Sequence, residues 1–132
     1  MSATNKEIVR RYVELFNRGE MERIFDELST PDIVIQGVLG KGGREIALPI
    51  WKELHSGLAM KLEITEMAAE GDTVAVLLKE TGTHQGVFRG MQPTGKSYEI
   101  IAMEWFHFRD GKIAARWGAR DSAAIMRQIG PG

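Results

Sequence analysis

The stretch Gly90–Phe108, GMQPTGKSYEIIAMEWFHF, decides how the rest of the chain is read. Its first eight residues satisfy G-x-x-x-x-G-K-[ST], the phosphate-cradling loop of nucleotide hydrolases. Such a loop works only where a strand enters it and a helix leaves it, because the N–H groups of the helix N-terminus hold the phosphates. Beyond Ser97 the chain instead continues as a period-two run. Tyr98, Ile100, Ala102, Glu104, Phe106 and Phe108 fall on one side of a strand; Ile101, Met103, Trp105 and His107 fall on the other. No βαβ unit surrounds the motif. Pro93-Thr94-Gly95 therefore reads as a turn between two strands, and no nucleotide is expected as a ligand.

Further β-like segments lie on both sides of this run. Leu62–Glu70, Thr73–Gln85, Tyr98–Phe108 and Lys112–Arg120 are separated by Gly-Asp, Pro-Thr-Gly and Asp-Gly turns. Upstream, Thr4 and Glu7 read as a capping box, and Ile8, Val9, Tyr12, Val13, Leu15 and Phe16 recur at helical spacing up to Gly19. Met21–Ser29 reads as a second short helix ended by Pro31, and Asp32–Gln36 as a short strand. Gly37–Gly43, GVLGKGG, lacks the order of a dinucleotide loop and reads as a mobile loop at a pocket mouth. Arg44–Gly57 reads as a third helix, with Pro49 either kinking it or lying in its first turn. A last helix follows Asp121 or Ser122 as cap. Helices first and antiparallel strands afterwards indicate one α+β domain over residues 1–132.

Composition narrows the function classes. Lys and Arg total 17 against 18 Asp and Glu, a balance without the basic footprint of a nucleic-acid or anionic-membrane binder. There is no cysteine, which removes thiolate chemistry, disulfides and cysteine-ligated metals. No run approaches the ~18 apolar residues of a membrane span, and MSATNKEIVRRYVELF has no signal-type apolar segment. A cytoplasmic protein is expected. His55, His84 and His107 are scattered without metal-ligand spacing, so no metal is expected either.

GTHQGVFRGMQPTGKS, FRDGKI, RW and IMRQIG occur in the order and spacing of SnoaL-like polyketide cyclases, and YVELFNRGEMERIFDELSTPDIVI resembles the same family's opening. Together they cover more than half the chain. The resemblance implies a nuclear-transport-factor-2-like fold, a cone of helices closed over a curved antiparallel sheet. Its concave face lines a deep pocket and its convex face commonly forms a homodimer. It further implies ring closure by intramolecular aldol condensation on polyketide esters without metal or organic cofactor. Relatives isomerise, dehydrate, hydroxylate or only bind small molecules. Many of the cyclases carry His-Trp-Asp where this chain has Arg116-Trp117-Gly118, with that Asp as the acid/base; here both His and Asp are gone.

The hairpin at Asp110-Gly111 sets which residues face a pocket. A three-residue Arg-Asp-Gly loop pairs Phe108 with Lys112, Phe106 with Ala114, Glu104 with Arg116 and Ala102 with Gly118. Glu104 and Arg116 then share the pocket face, while Met103, Trp105, Ile113, Ala115 and Trp117 form an apolar face suited to a dimer. A two-residue turn would instead pair Glu104 with Trp117.

Aldol chemistry needs a base near an acidified carbon–hydrogen bond and an acid near the carbonyl that becomes an alcohol. Glu104 is the candidate acid/base; desolvation would raise its pKa and Arg116 would lower it. Arg116 is the candidate enolate or carboxylate partner, and a purely structural Glu104–Arg116 pair stands as the alternative. Gln36, at the end of the first strand where relatives often have His, is a candidate to orient a substrate carbonyl or simply ends the strand, and Tyr12, Phe16, Trp51, Phe88 and Phe106 are candidates to wall an apolar pocket. Asp121 reads first as a helix cap and His84 as a hydrogen-bonded structural residue, with either able to replace Glu104. His107 falls on the dimer face. The leading expectation is a cofactor-independent enzyme on an enolisable apolar substrate. The alternatives are a small-molecule binding protein on the same scaffold and a cofactor-free isomerase or hydroxylase.

Overall fold

A computed structural model describes residues 2–37 and 40–130, with side chains from Asn5 onward. The Thr4–Glu7 capping box thus lies outside the described side chains, as do Val38 and Leu39. Helix α1 (Ser2–Asn17) buries Val9, Tyr12, Val13, Leu15 and Phe16, the stripe that its apolar spacing dictates. A three-residue α2 (Met21–Arg23) runs into a π-helical turn, Ile24–Leu28, where a single helix through Ser29 was expected. The chain then extends directly into β1 (Ser29–Gly37), so Pro31 lies inside the strand rather than ending the helix.

Six strands form one sheet in the order β2-β1-β6-β5-β4-β3. It contains β2 (Gly40–Gly42), β3 (Lys61–Glu70), β4 (Thr73–Thr83), β5 (Ser97–Arg109) and β6 (Lys112–Arg120). Two expectations are corrected here. Gly40–Gly42 is a short strand paired antiparallel to β1, not simply part of a loop. The sheet is also mixed, because β1 runs parallel to β6, with its register shifting between Ser29 and Val34, the segment that holds Pro31. A proline cannot donate to the ladder, and an irregular segment is where a strand tolerates one.

Helix α3 (Arg44–Leu58) carries Pro49 in its second turn on the exposed side, and ends at Ala59 in the left-handed region, φ 48°. Its inner face sets Ala47, Trp51, Leu54 and Leu58 against the sheet. Trp51 meets Tyr12 and Phe16 of α1 edge-on, both at 5.8 Å, and stacks on Phe25 at 5.1 Å. These contacts fix the helices over the concave face.

The phosphate-loop look-alike has a different use. Ser97 opens β5, so no helix follows the motif. His84 and the 94–96 segment are laced by backbone bonds, His84 N–H to Lys96 O and Gly95 N–H to His84 O, each 2.9 Å. From there Thr94 Oγ1 donates to Ile129 O at 2.7 Å and Lys96 Nζ to Gly130 O at 2.8 Å. One oxygen belongs to the last residue of α4 (Ser122–Ile129) and the other to its C-cap, Gly130, where carbonyls lack helical partners. The block clasps the C-terminal helix.

At the other end of α4, Asp121 accepts from Ala124 N–H at 3.0 Å. Asp121→Ala removes this N-cap and is expected to lower the unfolding free energy by about 1 kcal/mol. Urea denaturation followed by tryptophan fluorescence measures it; an unchanged midpoint would show that the cap contributes nothing.

Candidate active site

The β5–β6 hairpin turns on two residues, Asp110 at φ 51° and Gly111 at φ 76°, joining Arg109 to Lys112. This corrects the three-residue loop expected. The ladder then carries a bulge: Phe108 faces Ile113 and His107 faces Ala115, so Ala114 is extra. Beyond it Phe106 pairs with Arg116, Glu104 with Gly118 and Ala102 with Arg120. Glu104 and Arg116 thus share the concave face as expected but are offset by one inward-facing row. The bulge also corrects Ile113, expected outside and in fact buried.

The Arg116 side chain runs forward along β6 over Gly118. A Cβ at residue 118 would overlap the Arg116 guanidinium and lie 3.7 Å from Glu104 Cγ. Arg116 Nη1 meets Glu104 Oε2 at 3.3 Å with both side chains almost enclosed. The guanidinium also lies over the Trp51 ring at 5.7 Å. Burial works against the Arg116 charge, yet the Tyr12 oxygen and the Glu104 carboxylate leave its pKa raised. The Tyr12 phenol is held protonated by its burial and by the nearby charge of Glu104.

A second ionic centre, not anticipated from the sequence, lies on the same face. Glu80 of β4 is fully buried and bound through Oε2 by Arg120 and by the Tyr98 hydroxyl, the latter at 2.6 Å. Burial raises the Glu80 pKa more than Arg120 and Tyr98 lower it. The Tyr98 phenol is likewise pushed up, first by burial and then by Glu80. Strand parity carries this signal: Val74, Val76, Leu78 and Glu80 alternate inward on β4, as Arg116, Gly118 and Arg120 do on β6.

Tyr12, Trp51, Glu80, Glu104, Arg116 and Arg120 surround a cavity of about 60 Å³, floored by the small residues Ala102 and Gly118. Gly37 and Gly40 of the β1–β2 hairpin and Ile46 and Ile50 of α3, none of them buried, also line it. Phe16 lines it too. Phe106 does not; it packs on Tyr12 at 5.1 Å and supports it. Phe88 is buried in the 84–96 excursion, bridged to Met91, away from the cavity. Gln36 is exposed, since Ile33 and Ile35 take the inward positions of β1 and leave Gln36 beside Trp117 on the other side. His84 accepts at Nδ1 from Thr94 N–H at 3.3 Å, and Asp121 is the α4 cap; neither lines the cavity. No group of three His, Cys, Asp or Glu that could hold a metal occurs among the described residues.

Glu80 has a consequence for stability. A carboxyl whose pKa rises on folding binds its proton more tightly in the folded state. Its contribution is therefore full below its ordinary value of 4.5 and is lost as pH rises through the elevated one. The stability of the wild type relative to Glu80→Gln is expected to fall over that interval. Urea unfolding of both proteins from pH 4 to 8 measures it, and a difference that grows with pH would reverse the assignment.

The outer face of the same strands is apolar. Ile101, Met103, Trp105 and Trp117 are 41–65% exposed, and Trp105 pairs directly with Trp117. His107 lies beside them, edge-on to Trp117 at 5.1 Å. No helix among the described residues is long and apolar enough to cross a membrane.

Residues 6–129 match the family model of SnoaL-like polyketide cyclases. No curated protein matches the chain. Among solved structures, AclR, a putative hydroxylase from Streptomyces galilaeus, is 26% identical with TM-score 0.87, covering 96% of each chain. Wild-type IdmH, a putative polyketide cyclase from Streptomyces antibioticus, is 27% identical with TM-score 0.83, over 94% of this chain and 96% of its own. A putative SnoaL-like polyketide cyclase from Jannaschia Sp. CCS1 shares the fold at TM-score 0.91 and 23% identity, over 100% of this chain and 95% of its own. With that match over nearly its whole length, and with helices closed over a curved mixed sheet, the chain belongs to the SnoaL-like polyketide cyclase family, on the nuclear-transport-factor-2-like fold.

Proposed function

We propose that this protein is a cofactor-independent acid/base enzyme of polyketide-cyclase type, acting on an enolisable, largely apolar ketone. One observation carries the reading. Glu104 stands directly across the strand pair from Gly118, and the space that a side chain at 118 would fill is taken by Arg116. The loss of the family's His and Asp is thus a single compensated change: the carboxylate moves from β6 to its neighbour β5, and an arginine fills the gap.

Glu104 Oε1 has no partner among the described residues, whereas Oε2 holds Arg116. In the proposed reaction Oε1 takes the proton from the carbon beside the substrate carbonyl. The electron pair of that bond moves onto the carbonyl oxygen, and the resulting enolate is held by Arg116. The enolate carbon attacks a second carbonyl of the same molecule, and the new alkoxide recovers the proton from Glu104. Tyr12, kept protonated beside Glu104, is a hydrogen-bond donor for the oxygen that gains charge.

The test is deuterium exchange at the α-carbon of β-keto esters and polycyclic ketones in D₂O. General base catalysis contributes about 10²–10⁴-fold, so Glu104→Gln is expected to slow enzyme-dependent exchange by at least about 100-fold. Exchange that survives the substitution would move the base elsewhere. A second reading, a binding protein without catalysis, is favoured by the closed Glu104–Arg116 pair. Binding of these ketones with no exchange in the wild type would establish it.

We further propose that the outer face pairs with a second copy of the chain. Large aromatic side chains bury about 150–250 Å² when fully covered; with roughly half of each still exposed, Trp105, Trp117, Met103 and Ile101 supply up to about half of the ~800 Å² per partner of a standard interface. Sedimentation equilibrium is expected to give twice the chain mass, and Trp105→Glu/Trp117→Glu the single chain. A monomeric wild type would sink the proposal.

A further inference from the structure

The Glu80–Arg120 pair has an incomplete geometry that a purely structural pair does not require. Both Arg120 and Tyr98 bind the same oxygen, Oε2, while Oε1 has no partner. Arg120 Nε is equally unpartnered. The Glu104–Arg116 pair repeats this pattern, with Glu104 Oε1 and Arg116 Nε left over. Four of the seven buried side-chain atoms without partners among the described residues therefore belong to two ion pairs on one cavity wall. A buried polar atom left unpaired costs about 1–3 kcal/mol, and two pairs bearing the same cost on the same surface call for a common reason.

The two centres lie at opposite ends of the small-residue floor. Val76 is the cross-strand partner of Glu104 on β4, and Glu80 lies four residues further along that strand. That is roughly 13 Å between the Cα rows at about 3.3 Å per residue. Gly118 pairs across the strands with Glu104 and Ala102 with Arg120, so the small floor residues lie in the rows of the two centres, one inward-facing row apart. On a concave face side-chain tips converge, so a bicyclic skeleton has the length to reach from one centre to the other, and its entry requires the walls of the cavity of about 60 Å³ to part.

We propose that Glu80 and Arg120 form a second polar station, which binds a hydroxyl at the end of the substrate remote from its reacting ketone. The hydroxyl donates to Glu80 Oε1 and its oxygen accepts from Arg120 Nε, completing both groups. The substrate class is thereby narrowed from an apolar ketone to a ring ketone with a distal hydroxyl. The inference rests on the proposed use of this cavity for ketones, but it does not require that Glu104 be a base.

The probes are 2-tetralone, which has only the ketone, and 6-hydroxy-2-tetralone, which adds the distal hydroxyl. Binding is measured by titration calorimetry and α-deuterium exchange separately by NMR. Wild type is expected to bind the hydroxy ketone at least about tenfold more tightly, the scale of one hydrogen bond to a charged group. Glu80→Leu/Arg120→Met removes the pair as a unit with apolar replacements, a change buried ion pairs tolerate; its preference is expected to fall to about one. Circular dichroism and the unfolding midpoint verify that the double variant folds. Tyr98→Phe, which leaves the pair in place, is expected to keep the preference. Equal binding of the two ketones by wild type, binding of neither, or a preference that survives the double substitution overturns the proposal. A clear preference without any exchange keeps this station and removes Glu104 as base. Exchange that depends on Glu104 with equal binding does the reverse.

Discussion

One extra residue in β6 decides what this cavity contains. Strand parity alone would put Ile113, Ala115 and Trp117 on one side and Arg116 on the other. Ile113 is buried in the core, so an unbroken ladder would turn Arg116 outward and Trp117 inward. The bulge at Ala114 inserts one residue between the His107 and Phe108 pairings and exchanges the faces beyond it. Ile113 and Arg116 both point inward as a result, and Trp117 joins Trp105 outside. The turn at Asp110-Gly111, with two positive φ values, begins this arrangement because its twist matches the flanking strands. The Glu104–Arg116 contact, the Arg120–Glu80 contact and the apolar outer face all depend on it.

With the faces fixed, glycine at 118 is what admits the Arg116 side chain in this position. Arg116 lies where a side chain at 118 would lie, and a larger residue there would displace the guanidinium. A family pattern read residue by residue records two differences at 116 and 118, and neither position alone points to Glu104. The proposed role of Glu104 draws on its cross-strand pairing with Gly118, because directly opposite residues project into the same volume. Buried ion pairs seldom add net stability, since desolvation offsets most of the attraction. Two of them, each with unpaired atoms, are more readily explained by what they bind than by what they hold together.

The legibility of the sequence tracks the range of the interactions. Element order and the inward sets of β4 and β5 are readable because alternation is local: Val74, Val76, Leu78 and then Tyr98 through Phe108 announce their face. The same rule reaches Glu80, Arg120 and Gln36. Glu80 and Arg120 nevertheless escape a reading centred on the hairpin, and Gln36 is drawn into the cavity by its family position against its parity. The bulge is not readable, since nothing in Ile113-Ala114-Ala115 marks which residue goes unpaired. Nor is the parallel pairing of β1 with β6, which depends on where the chain returns after ~80 residues. Phe88 shows a further limit: aromatic character marks burial, but not which of two buried regions.

The charge arrangement of the cavity bears on the proposed chemistry. Each guanidinium in the wall already faces a carboxyl group, so neither offers an unpartnered charge to an anionic ligand. A neutral ketone enters without disturbing either pair. If Glu104 takes the α-proton, its own charge disappears as the enolate's appears, and both lie beside the same Arg116 guanidinium. The negative charge moves from enzyme to substrate within one ion pair, with no new charge created in a poorly solvated space. Stabilisation of that kind acts on the intermediate and on the transition state leading to it, not on the bound ketone, which is the condition for accelerating a reaction rather than merely binding its substrate. Placing the carboxylate on β5, across from the arginine's path over Gly118, is what lets a single cation serve both states.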